Sequence, residues 1–255
     1  MTSTVLLLLY PVLGILTVTA DSVTITGLVL RDISPSATDD RAAIKVREAR
    51  GCRLENNTLL DTFFGIYLSG VTGCVVRGNR VRGHGTTEAL TGNAIHAWSS
   101  SGLLIEDNVV LHCAAGLSAN APLNAEAALT VRNNRFAHNV IGMYFYGEKG
   151  GHRIEANRFD NNLTQVAVSA AGVGHANLWR GNAWSDYQGF DRDHDGIGDT
   201  PHEVWLYSDR IWMETPRAKF FGNSPALELL DFLEKLAPFA SPALILRDPA
   251  PRMAQ

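Results

Sequence analysis

The sequence is poor in residues that would indicate a disulfide framework, a zinc site or a highly charged partner. Only three of its 255 residues are cysteine, without a Cys-x-x-Cys pair, which argues against a disulfide-dense domain or a zinc-finger type of site. The formal net charge is −4, without a block of like charges, so nothing indicates a nucleic-acid partner. With 45% apolar residues, the chain is long enough for one sizeable core, and we expect a single main domain.

Long hydrophobic runs are also scarce. The N-terminal run from Val5 to Leu16 is interrupted by Pro11 and Gly14, and it is shorter than the roughly 20 apolar residues of a membrane span. Residues 1–20 fit either of two alternatives. One is a secretory signal peptide, for which the positive start is missing, and the other is an incomplete first coil of the repeats that follow.

One short pattern, by contrast, recurs six times. It consists of an apolar residue, two small or polar residues, asparagine, any residue and a second apolar residue, as in LENNTL, VRGNRV and IEDNVV. Successive asparagines are 22, 29, 26, 23 and 25 residues apart. A degenerate earlier copy, ITGLVL, has Leu28 at the asparagine position. The six asparagines are Asn57, Asn79, Asn108, Asn134, Asn157 and Asn182.

This period predicts an all-β solenoid. Short alternating segments with glycine and asparagine at the corners, repeating every two dozen residues or so, are typical of a right-handed parallel β-helix, here over residues 21–183. Asparagine suits a corner because it tolerates the left-handed backbone conformation, and its side-chain amide can bond to the copy one coil away. Leucine-rich repeats would need an LxxLxLxxN run that no copy contains, and a two-sheet sandwich gives no reason for asparagine at a fixed phase.

Two of the cysteines keep the phase of the repeat. Cys52 and Cys74 each lie five residues before a repeat asparagine, so we expect them to stack on adjacent coils and to face the same way as Leu54 and Val76. They are either small apolar residues of the core or, in an oxidising compartment, a disulfide.

An acidic loop, WSDYQGFDRDHDGIGDTP, interrupts the repeats. Closely spaced carboxylates repel one another unless a hard cation lies between them, and Gly196 at the sixth place permits the sharp turn of a calcium loop. His202 stands where an EF-hand would have its glutamate, so the loop is not an EF-hand. The alternative is a solvated turn in which aspartates cap backbone amides. The predicted calcium ligands are Asp191, Asp193, Asp195 and Asp199.

The last quarter of the chain differs from the repeats. We expect residues 184–203 to close the solenoid, with Trp179, Trp184, Tyr187 and Phe190 covering the last coil. Residues 204–255 then form a docking segment. It contains a short amphipathic helix that begins at Ser224 and stops at Pro238, followed by a proline-rich extended tail. The predicted docking side chains are Leu227, Leu230, Phe232, Leu233, Leu236 and Phe239.

The acidic loop and this tail together resemble a known family. NAWSDYQGFDRDHDGIGDTPHEV, followed by SPALELLDFLEKLAPFASPALILRDPAP, is similar to the C-terminal signature of the NosD family. Members are periplasmic β-helix proteins that serve maturation of the copper sites of nitrous oxide reductase alongside an ABC transporter. The resemblance implies a periplasmic, non-enzymatic protein that handles copper. Its implied partners are the transporter permease and ATPase, a copper chaperone and nitrous oxide reductase.

The copper ligands implied by this resemblance are only partly present. Relatives tend to carry histidine and methionine in a coil where this chain has Tyr144 and Tyr146. Because copper(I) prefers imidazole and thioether ligands, the remaining candidates are His96, Met143 and Met213. A single histidine on a coil also fits a hydrogen-bonded structural residue.

Two other function classes compete with this interpretation. A carbohydrate-binding or carbohydrate-active β-helix, such as a lyase or epimerase, would need carboxylates in register with basic groups along one groove. Glutamate and arginine do alternate two residues before the repeat asparagines, but cross-strand pairs of opposite charge neutralise each other, so we predict no enzyme. A calcium-stabilised surface adhesion β-helix is the third class, which the docking tail argues against. The alternating residues are Glu55, Arg77, Glu106, Arg132, Glu155 and Arg180.

Overall fold

The computed structural model describes most of the chain and has an all-β architecture. The described residues are 16–34, 41–84, 92–120, 128–146, 150–169, 176–206 and 243–253. They form three parallel sheets of seven strands each and one two-stranded antiparallel sheet, which confirms the predicted parallel β-helix. Among these residues, no helix is long and apolar enough to cross a bilayer. The predicted amphipathic helix, its docking side chains and Met213 lie outside the described residues.

Each coil of the solenoid contributes one strand to each sheet. Sheet 1 contains β1 (Leu16–Val18), β4 (Ala42–Arg47), β7 (Phe64–Ser69), β10 (Ile95–Trp98), β13 (Ala115–Asn120), β16 (Ile141–Tyr146) and β19 (Thr164–Val168). Sheet 2 contains β2 (Thr24–Thr26), β5 (Arg53–Glu55), β8 (Val75–Arg77), β11 (Leu104–Glu106), β14 (Thr130–Arg132), β17 (Arg153–Glu155) and β20 (Leu178–Arg180). Sheet 3 contains β3 (Val29–Ile33), β6 (Thr58–Thr62), β9 (Arg80–Arg82), β12 (Val109–Leu111), β15 (Arg135–Ala137), β18 (Arg158–Asp160) and β21 (Ala183–Trp184).

The repeat asparagines form one continuous buried ladder between sheets 2 and 3. Each side-chain amide except that of Asn182 donates to the Oδ1 atom of the asparagine one coil later at 2.9–3.0 Å. Its second N–H bonds a backbone carbonyl at 2.8–3.1 Å. At the degenerate copy, the Leu28 N–H donates to Asn57 Oδ1 at 3.0 Å, in the way the missing asparagine would. The ladder therefore satisfies polar groups that would otherwise be costly to bury.

One detail of the corner prediction is wrong. The left-handed conformation lies one residue before the ladder asparagine, at Asn56, Asp107, Asn133 and Ala156. None of the six ladder asparagines has a positive φ. The reason is that the two residues have different roles. The preceding residue makes the turn, and the ladder residue keeps its side chain inside the coil to bond its neighbours.

The core is filled by stacks of small and branched apolar side chains from the three sheets. Cys52 and Cys74 are fully buried beside Leu54 and Val76, as their phase predicts. Both are free thiols, and the Cys52 N–H donates to Cys74 Sγ at 3.2 Å. Burial raises the pKa of the Cys74 thiol to about 12, so this sulfur packs as an apolar group.

The far end of the solenoid is closed by the returning C-terminal strand. β22 (His202–Leu206) pairs with β23 (Ala243–Asp248) in the antiparallel sheet, and Ile245 and Leu246 of β23 are buried in the core. Trp179 and Trp184 are also buried there, but Phe190 is 69% exposed, so the expectation that Phe190 covers the last coil is wrong. The apolar residues of β23 supply that cover in its place.

Candidate functional site

The outer face of sheet 2 carries the alternating glutamates and arginines in register. Glu106 lies between Arg77 and Arg132 on neighbouring strands, and Arg132 Nε is 2.6 Å from Glu106 Oε2. Burial by itself would raise the pKa of Glu106, but the hydrogen bonds from Arg132 and Arg77 outweigh it, and the pKa lies below its ordinary value. A carboxylate held ionised in this way is poorly suited to act as a general acid.

A buried carboxylate on sheet 3 has the same kind of environment. Asp160 Oδ2 is 2.8 Å from Arg135 Nε, and Asp160 Oδ1 is 2.7 Å from Arg158 Nε. Glu106 and Asp160 are the buried carboxylates of the described strands in sheets 2 and 3, and each is bonded to two arginines. These contacts are those of a salt-bridge ladder, which stabilises a sheet surface.

His96, the first copper candidate, lies on the outer face of sheet 1 among aromatic rings. Its Nδ1 is 3.1 Å from Asn93 Nδ2, and its Nε2 is 3.4 Å from the Tyr146 hydroxyl. In this arrangement the Asn93 amide N–H donates to Nδ1. The Tyr67 ring lies 4.8 Å and the Trp98 ring 6.2 Å from the imidazole centroid. The imidazole is thus buried with both nitrogens already in use.

Met143, the second candidate, lies on the opposite face of the same sheet. It is fully buried and pairs in register with Leu117 and Val166 of the core, whereas His96 is in register with Tyr67 and Ser118. The structure therefore does not bring the imidazole and the thioether together. Within the described ranges, the predicted ligands do not fit a copper centre built from histidine and methionine.

The acidic loop brings three of its four predicted ligands together. One carboxylate oxygen from each of Asp191, Asp193 and Asp195 lies within 4.8 Å of the others. Asp191 also accepts the backbone N–H groups of Asp195 and Gly196 at 3.1 and 2.9 Å, as the capped-turn alternative requires. Asp199 instead accepts from the Arg192 N–H at 3.0 Å. Oxygen ligands in this arrangement fit a hard divalent cation such as calcium.

The most heavily used carboxylate of the cap, Asp248, was missed by sequence reasoning. It is fully buried, and its Oδ2 atom accepts from the backbone N–H of Asn182 at 2.9 Å and from the Asn182 side-chain amide at 2.8 Å. The same oxygen accepts from Trp184 Nε1 at 3.3 Å, while Oδ1 accepts from the N–H groups of Gly181 and Ala250. Asp248 thus terminates the asparagine ladder. An acid two residues after the apolar run ALIL, following Arg247, was the available signal.

His202 packs beside this terminus. It is opposite Asp248 in the antiparallel pair, and its ring stacks on Trp184 at a centroid distance of 4.7 Å. Burial lowers the pKa of His202, against the opposing effects of the Asp186 and Asp248 carboxylates. A neutral, stacked imidazole is therefore part of the cap, and the position that an EF-hand would give to a ligand is used for packing.

The fold and these sites define a parallel β-helix protein of the short-repeat type, whose polar ladder is sealed by its own C-terminal strand. The chain belongs to the NosD family: the family described as "Periplasmic copper-binding protein (NosD)" matches residues 12–189. That range takes in all three parallel sheets and ends inside the acidic loop.

Two curated relatives carry the same family name. The chain is 30% identical over 203 residues to "Probable ABC transporter binding protein NosD" of Pseudomonas aeruginosa, which covers 78% of this chain and 42% of that relative. It is 34% identical over 110 residues to the protein of the same name from Stutzerimonas stutzeri, which covers 43% of this chain and 25% of that relative. The matched regions therefore span less than half the length of either relative.

Proposed function

We propose that this chain is a periplasmic, non-enzymatic accessory protein for copper-centre assembly of nitrous oxide reductase, working with an ABC transporter and a copper chaperone. The observation that carries the proposal is the family match over the whole solenoid, residues 12–189. The names of the two relatives support the transporter part of the proposal. Copper is the cargo of this system, and the chain positions the proteins that exchange it.

The non-enzymatic part of the proposal is supported by the charged side chains of the solenoid. An acid-base pair of the glycoside-cleaving kind needs one carboxyl group whose pKa is raised. Glu106 and Asp160 are each bonded to two arginines, and the pKa of Glu106 is lowered. Both groups therefore serve sheet stability.

The proposed docking element is the stretch between β22 and β23. These two strands are paired at the capped end of the solenoid, and residues 207–242 connect them in sequence. In sequence, that stretch contains the apolar docking side chains from Leu227 to Phe239. We infer that the transporter permease binds at the capped end.

Co-purification tests this proposal. A variant with Leu230→Asp and Leu233→Asp places two charges in the apolar sequence of the proposed docking segment, and we expect it to lose the permease while its melting temperature stays unchanged. The matched control is Leu163→Asp, because Leu163 is 59% exposed on the solenoid itself and should not affect binding. Undiminished recovery of the permease with the double variant would refute docking through this segment.

A carbohydrate-binding function is the second candidate, favoured by the aromatic group around His96. Tyr144 and Tyr146 stack at 5.3 Å, and Trp98, which is 42% exposed, lies 5.9 Å from Tyr146. Rings with an apolar face and a polar edge are suited to contact sugars. Quenching of tryptophan fluorescence by soluble glycans, abolished by Trp98→Ala, would support it, whereas the absence of any glycan effect would leave copper assembly as the sole proposal.

We also propose that the acidic loop binds calcium. The convergence of Asp191, Asp193 and Asp195 within 4.8 Å supports this proposal, because three carboxylates repel one another unless a cation screens them. The cation would hold the loop against the tail, whose Pro251 carbonyl accepts from Gly198 N–H at 2.8 Å and whose Met253 N–H donates to the Gly196 carbonyl at 2.9 Å.

A further inference from the structure

Two histidines occupy equivalent corners on consecutive coils, between sheets 3 and 1. His112 and His138 both have left-handed backbones, with φ of 56° and 55°, and both side chains are exposed. Their rings lie 5.5 Å apart between centroids, with an angle of 14° between the ring planes. Asp61 and Asn161 occupy the same kind of corner on other coils, also with positive φ. Only these two corners pair imidazoles among the described ring contacts.

The backbone fixes the spacing of the two rings. The His112 N–H donates to the Ala137 carbonyl at 3.4 Å, and the His138 N–H donates to the Asp160 carbonyl at 3.0 Å. The preceding strands, β12 and β15, are paired in register. Just after the corner, the Cys113 N–H bonds Asn139 Oδ1 at 2.9 Å. The side-chain torsions are therefore the remaining freedom of each ring.

This spacing suits a shared metal ion. A bond of about 2.0–2.1 Å from metal to imidazole nitrogen places the centres of two ligating rings roughly 5 Å apart, close to the separation of His112 and His138. The χ2 torsion of histidine has a broad distribution, so small ring rotations can direct one nitrogen from each ring at the same ion. Two imidazoles on a rigid scaffold form a chelate without rearrangement of the backbone.

The surroundings favour a metal that prefers nitrogen. Asp160, which is in register with Ala137 just before His138, is bonded to Arg135 and Arg158, and its charge is already neutralised. Hard cations that need carboxylate oxygens gain little here, whereas imidazole suits late transition metals, of which copper(II) binds most tightly to a given set of ligands.

We propose that His112 and His138 form a surface bis-histidine site for a divalent late transition-metal ion, and that this site binds Cu²⁺ most tightly. The proposal does not rest on the function proposed above, because it concerns an ion bound by the isolated chain. The competing explanation is that histidine stands at these corners for backbone reasons alone, since histidine, like asparagine and aspartate, is enriched in the left-handed region.

Substitution by asparagine separates the two explanations, because asparagine keeps the left-handed corner and removes the imidazole. The untagged full chain, kept in excess calcium to occupy the acidic loop, is titrated with Cu²⁺ against a competing chelator. We expect His112→Asn and His138→Asn each to weaken the tightest site at least tenfold, and the double variant to be no weaker than either, while melting temperatures stay unchanged. The matched control is His194→Asn, an exposed histidine with φ of 60°, which should bind Cu²⁺ like the wild type.

Unchanged affinity in both corner variants would overturn the site, as would an equal loss in the His194 control. If either variant fails to fold, electron paramagnetic resonance of Cu²⁺ on the wild-type chain decides the question. Coupling to two imidazole nitrogens supports the site, and a spectrum with oxygen ligands only overturns it.

Discussion

Two ladders of side chains run along the same solenoid and satisfy their polar groups in different ways. In the buried ladder, each asparagine both donates and accepts, so identical residues bond head to tail until the last one, Asn182, needs a foreign acceptor. In the surface ladder, glutamate and arginine alternate, and each charge is met by its neighbours or by water. A neutral buried ladder must therefore be terminated by a specific residue, whereas a charged surface ladder can end anywhere.

Removal of Asp248, which terminates the asparagine ladder, should have the largest effect on stability. Asp248→Ala leaves the two Asn182 donors, the Gly181 N–H and the Trp184 indole without their acceptor, and we expect a loss of about 3 kcal/mol in the free energy of unfolding. Urea denaturation followed by circular dichroism measures it. Asp186→Ala is the control in the same cap, since the Asp186 side chain is 53% exposed and should cost little. Equal losses would mean that Asp248 has no special role.

A break in the middle of the asparagine ladder should have the second-largest effect on stability. Asn134→Ala removes bonds to both neighbours, Asn108 and Asn157, and leaves buried polar groups unsatisfied on each side, for an expected loss of about 2 kcal/mol. Asn120→Ala is the control, because Asn120 is only partly buried and donates to the Tyr146 carbonyl. The same denaturation series applies, and a control as damaging as Asn134→Ala would contradict the ladder's importance.

The surface ladder should contribute less to the free energy of unfolding, and its contribution should depend on pH. Glu106→Gln, which keeps the shape but removes the charge between Arg77 and Arg132, should cost about 1 kcal/mol at neutral pH and less in high salt. The folded-state pKa of Glu106 lies below its ordinary value of 4.5. Its charge therefore stabilises the fold above that ordinary pKa, and this contribution is lost as the pH falls through the folded-state pKa.

The direction of this pH dependence is tested by measuring stability from neutral to acid pH. The difference between wild type and Glu106→Gln should shrink on acidification. A difference that grew would show that the arginines do not stabilise the ionised form. Glu55→Gln, at a more exposed position of the same ladder, should give a smaller difference at every pH.

The acidic loop adds carboxylates that are not held between arginines to the comparison. Glu106 bonds arginines of the chain, whereas Asp191 bonds backbone amides, so we expect the loop to take its counter-ion from solution. Millimolar Ca²⁺ should raise the melting temperature by a few degrees through preferential binding to the folded state. Asp193→Asn should reduce the rise, and Asp199→Asn, which lies outside the cluster, should preserve it. No rise in the wild type would favour the capped turn.

The regular part of the molecule was predictable because each coil repeats the one before it. The phase of the asparagines gave the register, the stacking of Cys52 on Cys74 and the order of the charged ladder. The position of Leu28 in the first copy followed from the same phase. These features depend only on neighbours one period apart, which the sequence shows directly.

The features that sequence reasoning missed depend on other information. Asp248 meets Asn182 only after a long non-repeating stretch, and no periodicity reports that contact. The left-handed residue lies one place before each ladder asparagine, a local backbone detail that the apolar pattern does not encode. Met143 and His96 lie on opposite faces of sheet 1, and alternation along the two strands could have separated them had the coils been aligned more closely.

The copper content of nitrous oxide reductase is the most direct test of the proposed function. The chain is expressed with periplasmic export in a denitrifying host that lacks its own NosD-family protein, and the reductase is purified and assayed for copper. We predict restored copper loading with the wild-type chain and none with the Leu230→Asp, Leu233→Asp variant. A folded, exported chain that restores no copper, or a docking variant that restores it fully, would contradict the account.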